Sequence, residues 1–93
     1  MAKRTLKKIA RFLDDIDTAR LRLDELLEST ISETEEKLSD MPEAAQEGSR
    51  GKALQQALDT LDELREGAVS DLEMATMNAW EILEREGYDH SAT

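Results

Sequence analysis

Residues 40–51 read Asp40-Met41-Pro42-Glu43-Ala44-Ala45-Gln46-Glu47-Gly48-Ser49-Arg50-Gly51, and this stretch decides the fold. It holds Pro42, the chain's single proline, together with Gly48 and Gly51. Proline lacks the N–H and its ring clashes with the preceding turn, so a long helix does not run through it. Gly48 suits a helix C-cap and Ser49 an N-cap. Asp40 is placed to cap a short helical turn, with Glu43 closing a capping box. The stretch therefore reads as a bent connection over residues 41–50.

Outward from the connection, both sides carry helical periodicity. Before it the apolar positions are Leu6, Ile9, Leu13, Ile16, Leu23, Leu27, Ile31, Leu38 and Met41, with Arg20 and Thr34 filling the gaps. After it they are Leu54, Leu58, Leu61, Leu64, Ala68, Leu72, Ala75, Ala79 and Ile82 or Leu83. Steps of three and four residues mark helices with one buried stripe each. Strand signals are nearly absent, and Leu, Ala, Glu, Lys and Arg dominate. Ser29 to Thr34 is poor helix sequence, and Thr30 to Glu33 has capping-box spacing. The apolar spacing nevertheless runs through it, so a continuous helix is expected.

The expected fold is all-α, a long antiparallel helical hairpin. Helix 1 covers about 3–40, the connection 41–50 and helix 2 about 51–86. Each helix would span roughly 50 Å at ~1.5 Å per residue. Gly87 stops the second helix, giving a hairpin domain over 1–87 and a flexible tail over 88–93. Two helices with one stripe each make a thin core, and chains of this size often oligomerise. Val69, Met77 and Trp80, with Met74 nearby, form a second apolar edge on helix 2. The expectation is a homodimer that closes a four-helix bundle through them. The competing reading wraps them round the core of one chain.

Composition narrows the function classes. The chain has 93 residues, 12 Lys plus Arg against 22 Asp plus Glu, a net charge of -10 and no Cys. There is thus no disulfide framework, no thiolate metal site and no Cys nucleophile. No apolar run approaches the ~20 residues of a membrane span. A basic start with no apolar secretory core after it reads as cytoplasmic. His90, the one histidine, falls in the expected tail, whereas a general base needs a fixed position. His-Glu-x-x-His, a phosphate-binding Gly loop and Gly-x-Ser-x-Gly are all missing. No cofactor, metal or catalytic residue is expected.

Charge is unevenly laid out. Lys3, Arg4, Lys7, Lys8 and Arg11 precede the first acidic residue, Asp14, and leave -15 for the rest. In the hairpin this cluster lies at the end that carries Glu81, Glu84 and Glu86, and opposite charges there favour the antiparallel register. A basic turn that touches nucleic acid or membrane is the weaker reading, because the rest of the chain repels phosphates. Asp14, Asp17, Asp24, Glu28 and Glu35 fall near one face of helix 1. Asp59, Asp62, Glu63, Glu66, Asp71 and Glu73 crowd helix 2. Such runs are usually solvated faces; the sharper reading is an acidic surface for a basic partner.

The run from Met41 through Gly48-Ser49-Arg50-Gly51-Lys52-Ala53-Leu54-Gln55-Gln56-Ala57, continued by Thr60-Leu61-Asp62-Glu63-Leu64, resembles a segment of small acidic helical proteins of bacteriophages and prophages. In them a Met-Pro-Glu turn leads through Gln, Ser and Arg-Gly into an Ala- and Gln/Glu-rich helix. The likeness covers about 25 residues, and Ser49 falls one place later than in that pattern. It implies a phage or mobile-element origin and no activity.

Together these readings lead to a non-enzymatic protein that binds and inhibits a host bacterial protein with a basic surface. A nuclease or another antiviral-defence component is the expected class of target. Asp59, Asp62, Glu63, Glu66, Asp71 and Glu73 would supply the acidic contact. Met41, Pro42, Gln46, Ser49 and Arg50 would project at the tip, as a working part or only as a turn. Two other classes stand beside it: a self-assembling structural bundle, and an oligomer that sequesters a small nucleotide through Arg20, Arg50 or Arg65. Neither nucleic acid nor membrane is expected as a direct partner.

Overall fold

The computed structural model describes residues 1–89. Helix α1 runs Lys3–Ser39, a single turn α2 Glu43–Gln46, and α3 Ser49–Glu63. A π-helical segment, Leu64–Val69, joins α3 to α4, Ser70–Arg85, so that 49–85 forms one continuous rod. The two rods pack side by side into a body 64 × 18 × 15 Å. The all-helical, two-rod architecture agrees with the periodicity, and α1 is unbroken through 29–34. There the Thr30 and Thr34 hydroxyls donate to the carbonyls of Leu26 and Thr30, each at 2.7 Å, which keeps both polar groups satisfied within the helix.

The connection is built differently from the capping expected. Gly48, not Ser49, is the N-cap of α3, and Ser49 is its first residue with no side-chain cap bond. Asp40 is the C-cap of α1, and Pro42 starts α2 with its carbonyl accepting from Ala45 N and Gln46 N. Gln46 closes α1: its Nε2 donates to the carbonyls of Leu38 and Met41, both at 3.0 Å. These are orphan acceptors at a helix end. Gly51 is buried because α3 crosses the backbone of α2 there; a Cβ would overlap the Gln46 carbonyl.

The inner stripe of the second rod departs from the one expected. Its inward positions are Leu54, Leu61, Val69, Thr76 and Leu83, in steps of seven, eight, seven and seven. The long step falls across the π-helical segment. A π turn closes i→i+5 and takes an extra residue, which moves every later inward position on by one. Val69 and Thr76 are therefore buried, Arg65 and Trp80 half-buried, and Leu64, Ala68, Leu72 and Ala75 exposed. On α1 the inward rows are Leu6, Leu13, Arg20, Leu27, Thr34 and Ala10, Asp17, Asp24, Ile31, Leu38, in unbroken steps of seven. Ile16 and Leu23, expected inside, stand exposed, and Asp17 and Asp24, expected on the solvent face, turn inward.

The core is accordingly split. At the open end Leu6, Ala10, Leu13 and Leu83 are buried, with Ile9, Ala79, Trp80 and Tyr88 packed against them. Tyr88 belongs to this cluster and not to a free tail. Gly87 has φ 107°, and the Tyr88 and Gly87 amides return to the Leu83 and Glu84 carbonyls, a Schellman cap. The remainder of the expected tail, 90–93 with His90, lies outside the described residues. Towards the tip Leu27, Ile31 and Val69 are buried. Between the two apolar parts sits a polar belt.

Candidate functional site

The belt is made by the inward residues at mid-rod. Trp80 Nε1 donates to Asp17 Oδ2 at 2.8 Å. Arg65 Nε donates to Asp24 Oδ1 at 3.0 Å, and its Nη2 lies 3.6 Å from Glu28. Arg20 is held less well. Its Nε is 3.9 Å from Asp17 and its Nη1 3.9 Å from Glu73, and the buried Nε finds no hydrogen-bond acceptor among the described residues. Asp24 raises the Arg65 pKa above its ordinary value, first through the hydrogen bond and then through charge, with Glu28 and Asp62 adding to it.

Arg20 and Arg65 share an open cleft of about 410 Å³ with Asp24, Glu66, Val69, Ser70 and Glu73. Three carboxylates stand there against two guanidinium groups, of which Arg65 is already hydrogen-bonded to Asp24. That balance disfavours a nucleotide phosphate. Arg50, the third candidate for such a site, is exposed at the tip, remote from the other two.

The acidic residues of the second rod are all exposed: Asp59, Asp62, Glu63, Glu66, Asp71 and Glu73. Asp59, Asp62, Glu66 and Glu73 follow in steps of three, four and seven and share one flank, which Glu73 anchors on the Arg20 side. Glu63 and Asp71 stand off the outer surface. Among the described residues, Glu73 is the one of the six with a cation within 4.0 Å.

Among the described residues the basic cluster finds no ion-pair partner. Lys3, Arg4, Lys7, Lys8 and Arg11 are exposed along one open groove of about 520 Å³ and make no ion pair with Glu81, Glu84 or Glu86. Both sets are exposed, whereas the facing surfaces hold the apolar cluster.

At the tip, Met41 and Gln46 are half-buried, and Pro42, Ser49 and Arg50 exposed. Gln46 satisfies the last carbonyls of α1 through its side-chain amide. Of the apolar edge expected on the second rod, Val69 is buried against α1 and Trp80 is half-buried and bonded to Asp17, while Met77 is exposed. The π turn is the reason: it rotates Val69 and Trp80 inward.

The same rotation leaves a surface that the expected stripe conceals. On α1 the residues Ile9, Phe12, Ile16, Ala19, Leu23 and Leu26 follow in steps of three and four. Phe12 is 69% exposed, Leu26 63%, Ile16 44% and Leu23 40%. On the second rod Leu64, Ala68, Leu72, Ala75, Ala79 and Ile82 do the same, with Leu64 at 45% and Leu72 and Ile82 each at 41%. Both rows lie on one side of the hairpin. Asp17 meets Trp80 on the opposite flank, and Ile9 and Ala79, on this one, flank the same core cluster. The seven-residue recurrence of Ile9, Ile16 and Leu23 was the available signal, but it is equally the signal of a core.

Among the described residues no three His, Asp or Glu side chains are grouped to hold a metal ion, and no helix is long and apolar enough to cross a membrane. No family model matches the chain, and neither a curated protein nor a solved structure matches it.

Proposed function

We propose that this protein works by binding and not by catalysis: it engages a basic surface of another protein through the acidic flank of its second rod, as a four-helix-bundle dimer. The observation that carries this reading is the stripe of Asp59, Asp62 and Glu66, exposed and, among the described residues, without a cation within 4.0 Å. Carboxylates held on a rigid rod and not neutralised internally steer a cationic partner and repel nucleic acid. The phage-like turn and helix sequence extends the proposal to the target class, a host nuclease or another antiviral-defence protein, inhibited where its basic groove is filled.

The test is capture from an uninfected bacterial lysate with the immobilised protein at low and high salt, with the captured protein identified and then purified. The reading expects one dominant host protein, released by high salt. It also expects affinity to fall at least ~100-fold when Asp59, Asp62, Glu63 and Glu66 are changed to Lys. Binding that survives this charge reversal contradicts the acidic-flank mechanism.

A further inference from the structure

We infer that the exposed apolar side of the hairpin is covered by a second copy of the chain, laid antiparallel across it with a two-fold axis near Ile16 and Ala19. This deepens the dimeric part of the proposed function and is independent of any host target. Three observations carry it: the size of the face, the symmetry of its spacing and the placement of charge.

The large side chains of the face leave roughly 600 Å² of mostly apolar surface open, against ~300–600 Å² for the largest patch of an ordinary monomer. A standard interface takes ~800 Å² from each partner. The face is thus close in size to half a stable dimer interface. Beneath it, meanwhile, the interior of the hairpin is spent on Asp17, Arg20, Asp24 and Arg65.

The spacing is self-complementary. Ile9, Phe12, Ile16, Ala19, Leu23 and Leu26 are separated by three, four, three, four and three residues, a series that reads the same in both directions. Turned end for end, α1 meets its copy with Ile9 against Leu26, Phe12 against Leu23 and Ile16 against Ala19. Each pair sets a large side chain against an apolar one, and each contact occurs twice, as a two-fold interface requires. The pairing of Asp17 with Trp80 and Arg20 with Glu73 puts Ala75 at about the same height on the second rod. The two-fold axis therefore brings Ala75 against its own copy, where a small side chain lets helices approach.

Charge decides the direction. The antiparallel arrangement sets residues 3–11 of one protomer, with its five unpaired cations, beside residues 24–32 of the other. That stretch carries Asp24, Glu25 and Glu28 and no Lys or Arg. Laid parallel, with α4 on the partner's α1, both clusters of five cations would gather at one end of the bundle, and like charges so placed repel.

The test uses the purified full-length chain in sedimentation equilibrium, with helical content read by circular dichroism. Phe12→Asp with Ile16→Asp is expected to weaken the dimer at least ~100-fold and keep the helical content, since both side chains are exposed. Met74→Asp with Met77→Asp, off the proposed seam, is expected to leave it intact. Ala75→Cys, in a chain that has no other Cys, is expected to form an intermolecular disulfide on mild oxidation. A monomeric wild type, or a dimer indifferent to the Phe12 and Ile16 changes, overturns the inference. A dimer in which Ala75→Cys does not cross-link overturns the antiparallel arrangement, because a parallel pair stacks α4 on the partner's α1. All of these outcomes are read without a host protein, so failure to find a target leaves them unaffected.

Discussion

The Trp80 indole nitrogen donates to the Asp17 carboxylate at 2.8 Å and so joins residues 63 positions apart across the two rods. A directional bond between a half-buried donor and a charged acceptor pins one height of α4 to one height of α1. Leucines alone pin this poorly, because a slip by one heptad matches them nearly as well. The bond, the Arg65–Asp24 pair and the Schellman cap at Gly87 together set the register that the split apolar core leaves loose.

Asp17→Ala removes the acceptor and leaves the indole N–H half-buried. A loss of about 1–2 kcal/mol is expected, the order of one hydrogen bond to a charged partner. Urea unfolding followed by the fluorescence of the single Trp measures it. A red-shifted native emission is expected as well, as the indole loosens towards water.

Arg20→Leu is expected to be neutral or to stabilise the hairpin, by up to ~1–2 kcal/mol. Arg20 places a buried Nε where no acceptor reaches it, and its ion pairs are both at 3.9 Å. Breaking a well-made buried pair is costly, but replacing a poorly satisfied one with an apolar side chain of similar size often is not. Asp17 keeps Trp80 as a partner in the variant. Thermal unfolding checks this; a drop of more than a few degrees contradicts it.

The same Gly→Ala change should have opposite effects at two places on the second rod. At Gly51 the new Cβ meets the Gln46 carbonyl, so α2 must be pushed away from α3, and about 2 kcal/mol or more is expected to be lost. At Gly67, in the π-helical segment, a Cβ meets nothing and the backbone is not left-handed. Ala there is expected to add about 0.5–1 kcal/mol through helix propensity. Paired denaturation curves read both.

Gln46→Ala removes both side-chain bonds to the end of α1. About 1 kcal/mol is expected to be lost, with the greatest rise in amide exchange at residues 39–47. Gln46→Glu keeps the size of the side chain but offers no donor to the Leu38 and Met41 carbonyls, so it should be no better than Ala.

The two helices and the turn were legible because their signals are local. Pro42 excludes a long helix, and the Leu and Ala steps of three and four have no strand interpretation. Which side of each helix faces inward was not legible. On α1 the row Ile9, Ile16, Leu23 and the row Ala10, Asp17, Asp24 both border the shared Leu6, Leu13, Leu27 line. Hydrophobicity favours the first row, whereas the hairpin buries the second. The choice is made by the partner rod, where one wide turn at Leu64–Val69 advances the seam by a residue. Such a turn has no reliable sequence mark. Val69 and Trp80 thus moved from an expected outer edge to the interior, and Ile16, Leu23, Leu64 and Leu72 moved out. The acidic residues of the second rod were legible as exposed, because charge seldom goes inside without a partner.

The displaced seam leaves an apolar face, and we infer that a second copy of the chain covers it. The molar mass of the wild-type protein by light scattering, at micromolar concentration and physiological salt, tests it most directly. Twice the 10.5 kDa of one chain is expected. A mass of one chain that persists as the concentration is raised into the hundreds of micromolar would contradict it.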